Sequence, residues 1–105
     1  MSAPGHAFER ISVIIPTLDE AGNLTALLAD VDRGREVETI VVDGGSRDDT
    51  VARARQLGAR VIAGPPGRAL QMNRGADIAR GRILFFVHAD SRLPRGFDDL
   101  IRPAL

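Results

Sequence analysis

Three short apolar runs in this chain end in residues able to do chemistry. ISVII at 11–15 leads into Pro16, Thr17, Leu18, Asp19 and Glu20. VETIVVD at 37–43 closes on Asp43 and is followed by Gly44, Gly45, Ser46, Asp48 and Asp49. ILFFV at 83–87 is followed by His88, Ala89 and Asp90. A carboxylate such as Asp90 at the mouth of an apolar run suits a hard cation, Mg²⁺ or Mn²⁺, which can bridge phosphate oxygens. It serves equally as a turn residue. His88 is a candidate second ligand, although a lone His is more often a hydrogen-bonded structural residue. Asp43 precedes two glycines, where a ligand or a backbone can come close. Ser46, Asp48 and Asp49 carry similar oxygen chemistry but are also ordinary helix caps, and both readings stay open. Further on, Arg68 follows Gly64-Pro65-Pro66-Gly67 and opens a helix-like segment. Helix N-termini offer free N–H groups to anions, and Arg adds charge.

These residues meet only if the ends of the runs share a rim. Val and Ile enrichment, length and bounding turn residues predict strands at 11–15, 37–43, 59–63 and 83–87. Leu24, Leu27, Leu28 and Val31 recur as one helix face. Ser46 with Asp49 has the form of a capping box, which predicts a helix from near Arg47 to the stop at Gly58. A third helix is predicted over 68–80, with Ala69, Met72, Ala76 and Ala79 as a small-residue face against a sheet and Gly81 as its stop. Phe97, Leu100 and Ile101 suggest a last helix. The order βαβαβαβ plus a tail helix predicts an α/β fold with a buried, parallel, Rossmann-like sheet. Ligands of such sheets bind beyond the carboxyl ends of the strands. Residues 1–10 read as an N-terminal arm and 11–105 as one domain.

Composition narrows the chemistry. The 105 residues fit one small domain, and with 44% hydrophobic residues but only four aromatics the core must be aliphatic. All 14 basic residues are Arg, and there is no Cys. That excludes disulfide frameworks, thiolate nucleophiles, Cys-based zinc sites, a P-loop lysine and a Schiff base. No G-x-G-x-x-G follows the first strand, so a dinucleotide-binding turn is absent. A net charge of zero argues against a nucleic-acid partner. Residues 1–50 hold 4 Arg and 10 acids, whereas 51–105 hold 10 Arg and 4 acids. That split fits an anionic ligand, or two faces that pair with each other. No run reaches the roughly 18–20 apolar residues of a membrane span, and no signal-peptide pattern opens the chain. The expected location is the cytoplasm, the inner face of the membrane included.

SVIIPTLDEAGNL at 12–24, IVVDGGSRDDT at 40–50, GRALQMNRGA at 67–76 and ILFFVHADSRLP at 83–94 resemble the amino-terminal half of a family 2 glycosyltransferase with the GT-A fold. The flavour is that of a small bacterial subgroup associated with radical-SAM or selenium-related gene neighbourhoods. The resemblance implies a sheet of order 3-2-1-4 and a nucleotide-diphosphate-sugar donor, usually UDP-linked. It implies a Mn²⁺ or Mg²⁺ cofactor and an inverting transfer to an acceptor that is a lipid, glycan or small molecule. Carried over, Pro16, Thr17 and Glu20 line the nucleoside pocket and Asp43 hydrogen-bonds the base. Asp48, with Ser46, belongs to the family's D-x-S-x-D pattern, whose second acid is displaced by one residue here, so that the pattern's second acid is either Asp48 or Asp49. Arg68 and Asn73 lie near the ribose or diphosphate. His88-Ala89-Asp90 stands where the family has its D-x-D motif, with His88 replacing the first acid and Asp90 kept as metal ligand. The family's catalytic base lies in the carboxyl-terminal half, so none is assigned among these residues. The alternative is a non-catalytic fragment or interaction module whose exposed last strand pairs with another chain, a homo-oligomer included; a phosphotransferase is a weaker third option.

Overall fold

The computed structural model describes residues 9–102; residues 1–8 of the expected arm lie outside them. Four strands, β1 (Ile11–Thr17), β2 (Val37–Asp43), β3 (Arg60–Ala63) and β4 (Ile83–Phe86), alternate with helices α1 (Ala21–Asp32), α2 (Thr50–Gln56) and α3 (Arg68–Ile78). A short helix α4 (Phe97–Ile101) follows. The strands form one parallel sheet in the order β3-β2-β1-β4, the order the resemblance implies. β1 is central, and its run is buried on both faces, as an apolar strand of this type requires.

Alternation along β1 sorts the core. Ile11, Val13 and Ile15 point to the face covered by Leu24, Leu27, Leu28 and Val31 of α1, Ala54 of α2 and Phe97 of α4. Ile14 points to the opposite face, where it joins Ile40 and Val42 beneath Ala76, Ile78 and Ala79. The strand runs on through Pro16 to Thr17 rather than closing before the proline. Ile14 directs its carbonyl to the Val87 N–H at 3.0 Å. Pro16, two residues on, faces the same side just past the end of β4, so its missing N–H costs no ladder bond.

Two helix expectations need correction. Helix α2 begins at Thr50, not near Arg47, and Ser46 does not cap it. The Ser46 hydroxyl instead donates to the buried Asp43 carboxylate, 2.5 Å away. Asp48 takes the capping work, accepting from the Thr50 N–H at 3.0 Å and from the Thr50 hydroxyl. Helix α3 stops at Ile78, because Ala79 is already extended. Its buried residues are Gln71 and Gly75; of the predicted small-residue face, Ala76 and Ala79 pack against the sheet, whereas Ala69 is exposed. A Cβ on Gly75 would sit 2.4 Å from Ile14 Cγ2 and 3.1 Å from Val42 Cγ2. Glycine is therefore what lets this helix lie against β1 and β2. No helix among the described residues is long and apolar enough to cross a membrane.

Candidate functional site

The carboxyl ends of β1 and β4 and the start of α3 border an open cleft of about 280 Å³. It is lined by Pro16, Thr17, Leu18 and Glu20 from β1 and its loop, by Pro66, Gly67, Arg68 and Gln71, and by His88, Ala89 and Asp90. Of the sequence-predicted residues, Pro16, Thr17, Glu20, Arg68, His88, Ala89 and Asp90 come together here. Asp43, Ser46, Asp48 and Asn73 do not line it; Asn73 is exposed on α3.

The His88–Asp90 segment owes its shape to the alternation begun in β4. Val87 and Ala89 are buried, whereas His88 and Asp90 are exposed. A turn closes behind them, with the Ser91 N–H donating to the His88 carbonyl at 3.0 Å. No hydrogen bond or ion pair to another described residue engages the side chains of His88, Asp90 or Arg68. These groups face the cleft with their polar capacity free, which sets them apart from most acids at this rim.

Asp43 is the contrasting case. It is 2% exposed, and its two carboxylate oxygens accept four bonds. The Thr17 hydroxyl donates at 2.8 Å and the Ser46 hydroxyl at 2.5 Å to Oδ1, while the N–H groups of Gly45 and Ser46 donate to Oδ2 at 3.0 and 2.7 Å. Burial alone would raise its pKa, but these donors, the Ser46 hydroxyl foremost, outweigh it and hold the carboxyl below its ordinary range. Asp43 thus fixes the Thr17 side chain at the edge of the cleft. What comes close at the following glycine is protein: a Cβ on Gly44 would meet Pro66 Cα and Gln71 Nε2, both at 3.1 Å.

The acids of the β1–α1 and β2–α2 loops brace each other. Asp19, in the left-handed region at φ 54°, accepts the Arg47 N–H at 2.7 Å. Its own N–H donates to the Ser46 hydroxyl at 2.8 Å. The Glu20 N–H donates to the Thr50 hydroxyl at 2.9 Å, and the Ala21 N–H to Asp48 at 3.2 Å. Bonds from the Thr50 hydroxyl first, and from the Thr50 and Ala21 N–H groups, lower the Asp48 pKa. Asp48 therefore ties the starts of α1 and α2 together.

Sequence reasoning missed Gln71. Its Nε2 donates to the carbonyls of Thr17 and Val42 at 3.0 and 2.8 Å, and its Oε1 accepts the Gly67 N–H at 3.0 Å. A buried amide thereby joins the ends of β1 and β2 to the start of α3 and fixes where Arg68 projects. The signal was present as Gly67, Gln71 and Gly75, spaced four apart on one helix face.

The sequence model of glycosyl transferase family 2 matches residues 12–101. The chain belongs to this family. A PGL/p-HBAD biosynthesis glycosyltransferase of Mycobacterium bovis is 41% identical over 91 residues, covering 78% of this chain and 36% of the relative. Glucosyl-3-phosphoglycerate synthase of Mycolicibacterium paratuberculosis is 35% identical over 92 residues, covering 76% and 28%. Among solved structures, the Mycobacterium tuberculosis glucosyl-3-phosphoglycerate synthase in complex with Mn²⁺, UDP and glucosyl-3-phosphoglycerate superposes with a TM-score of 0.72. It is 29% identical, and the match covers 84% of this chain and 37% of that one. A mannosyltransferase of Pyrobaculum calidifontis, in complex with GDP-Man and Mn²⁺, gives 0.77 at 25% identity, covering 97% and 33%. The chain spans about a third of the length of these family members. Their shared architecture is the GT-A glycosyltransferase fold.

Proposed function

We propose that the chain forms the donor site of a glycosyltransferase, binding a UDP-linked sugar with a divalent cation at Asp90 for inverting transfer to an acceptor hydroxyl on a lipid, glycan or small molecule. The observation that carries this reading is the convergence of three side chains without internal partners, Arg68, His88 and Asp90, on one cleft at the carboxyl ends of β1 and β4. The glucosyl-3-phosphoglycerate synthase complex, with UDP and Mn²⁺, supports the choice of base and metal.

The donor set suits Mg²⁺ or Mn²⁺. No group of three or more His, Asp or Glu side chains among the described residues could hold a metal by itself. One free carboxylate, with His88 beside it, leaves positions for phosphate oxygens and water, which is how Mg²⁺ is usually held. When bound, the cation stabilises the charge on the departing diphosphate. Arg68 supplies a second, fixed positive charge. The N–H groups of Arg68, Ala69 and Leu70 precede the first intrahelical bond, from the Gln71 N–H to the Gly67 carbonyl at 2.8 Å, and offer donors to the same phosphates. Base recognition falls to the Thr17–Asp43 pair. Asp43 lies behind Thr17 with four protein donors on its oxygens, so direct contact with the base would require a base N–H to displace one of them. Pro16 and Glu20 flank the nucleoside, and Ser46 and Asp48 support it through the loop braces. Asn73 remains a candidate contact to the ribose or diphosphate from outside the cleft.

Isothermal titration of UDP with and without Mn²⁺ tests the reading. Binding that strengthens with Mn²⁺ and loses that dependence in Asp90→Ala supports it. No heat at millimolar UDP in a folded sample rejects it. A second reading, an interaction module, is favoured by the edge position of β4, where Leu84 and Phe86 are 41% and 44% exposed. Sedimentation at high concentration decides that case: a clean monomer argues against pairing with a second copy.

A further inference from the structure

One charged residue sits where helix α1 should be apolar. Asp30 lies between Leu27, Leu28 and Val31 on the buried side of α1, and its side chain is only 1% exposed. Four donors converge on it. Arg92 gives Nε at 2.7 Å and Nη2 at 3.1 Å, the Leu93 N–H gives a third bond at 3.0 Å, and Arg33 Nη1 approaches to 3.3 Å. A buried carboxylate is a poor means of stabilising an apolar helix face and a good means of fixing a partner's register. The partner is the segment that leaves the rim. After the turn at His88–Ser91 the chain comes back along α1. Its first two residues beyond that turn, Arg92 and Leu93, are the ones clamped. The bidentate grip fixes direction as well as distance. On the other side, the turn is held by burial of Val87 and Ala89.

We propose that Asp30 is a positioning residue: through Arg92 and Leu93 it sets where the rim turn places His88 and Asp90. Its effect on metal and diphosphate rests on the proposed donor site, whereas its hold on the turn does not. Asp30 touches no ligand position itself, and it acts much as a carboxylate behind a metal-binding histidine orients the ligand without joining it.

The test compares wild type with Asp30→Asn, Arg92→Ala and a control, Glu38→Gln. Glu38 is a carboxylate at the opposite end of the sheet, bonded to Ser12, Arg60 and the Arg80 N–H. Amide exchange at Ser91 is the first readout. Its N–H bonds to His88, not to Asp30, so faster exchange there reports the turn itself rather than the lost bond at Leu93. We expect exchange at Ser91 to rise about tenfold in Asp30→Asn and in Arg92→Ala and to stay unchanged in Glu38→Gln. The second readout is titration of UDP with and without Mn²⁺, where Asp30→Asn should weaken Mn²⁺-supported binding about tenfold and leave metal-free binding unchanged. Unchanged Ser91 exchange, or equal effects in Glu38→Gln, overturns the proposal. So does faster exchange with full Mn²⁺-supported affinity. If wild type binds no UDP, the donor reading falls, and Ser91 exchange alone decides whether Asp30 positions the turn.

Discussion

Replacing Gly75 by Ala tests whether α3 is seated as closely as the site requires. Two effects oppose each other. Alanine favours a helix over glycine by about 1 kcal/mol. The new methyl, however, would lie 2.4 Å from Ile14 Cγ2 and 3.1 Å from Val42 Cγ2, both on fully buried side chains of the two central strands. Neither partner is the end of a long flexible chain, so α3 must lift or the strands must shift. Overpacking of this kind costs about 1–3 kcal/mol, which leaves a net loss of up to roughly 2 kcal/mol. For a domain of this size that lowers Tm by up to about 15 °C. Gly22 provides the internal control. It lies in α1 with nothing within 4 Å of its added Cβ, so Gly22→Ala should be neutral or stabilise by up to about 1 kcal/mol. Thermal unfolding by circular dichroism reads both. A double-mutant cycle with Ile14→Ala should show coupling above about 0.5 kcal/mol, because the smaller residue makes room for the methyl. Lifting α3 also moves Gln71 and Arg68, so UDP affinity should fall in Gly75→Ala and not in Gly22→Ala. A Gly75→Ala protein as stable as Gly22→Ala would refute the close seating of α3.

The other predictions separate support from binding. Gln71→Leu leaves the Gly67 N–H and the Val42 carbonyl without their side-chain partner, and urea unfolding should show a loss of about 1–3 kcal/mol. Arg68→Ala removes a side chain with no partner among the described residues, so stability should change by less than about 0.5 kcal/mol while UDP affinity falls roughly 10- to 100-fold. Asp30 predicts a pH dependence. Its bond from Arg92, foremost among the causes, lowers its pKa from 3.8 to about 2. A depressed carboxylate stabilises the fold fully above the unfolded value, and the contribution is lost as pH falls from about 4 to 2. Because the Arg92 side chain is 64% exposed, screening trims the effect to about 1–2 kcal/mol. Wild type should therefore lose its stability advantage over Asp30→Asn across that window in paired urea titrations.

The sheet was legible because each strand is a short run rich in Val, Ile or Phe with turn residues soon after it, and length and periodicity separate such runs from the Leu-spaced α1. The rim was legible for the same reason, since strand ends are what place Thr17, His88 and Asp90. Side-chain bonding across loops was not legible. Ser46 and Asp49 have the capping-box pattern, but the buried carboxylate of Asp43, 2% exposed, needs donors more than an exposed helix start needs a cap. Ser46 therefore turns back, and Asp48 caps Thr50. Local pattern lost to tertiary burial. The small-residue face of α3 was legible in part. Ala76 and Ala79 do pack against the sheet, but Ala69 is exposed, and the closest approach comes at Gly75, on the side where Gln71 satisfies two strand-end carbonyls.

Part of the uneven charge of the two halves has a physical account. Arg60 pairs with Glu38 at 3.0 Å, Arg82 with Glu9 at 3.2 Å and Arg92 with Asp30 at 2.7 Å, in each case joining the basic second half to the acidic first half. Three of the ten second-half arginines are thus accounted for by acids of the first half. An anionic ligand is not needed to explain those arginines. Arg68 is set apart by its place: it has no acid partner among the described residues and is the arginine that lines the cleft, at a helix start. The same subtraction applied to the acids removes Asp43, Asp48 and Asp30, each of which holds protein donors, and leaves Asp90 free at the cleft. One uncommitted cation and one uncommitted carboxylate on a single rim are what a metal-bound diphosphate requires, and counting charges along the chain would not have isolated them.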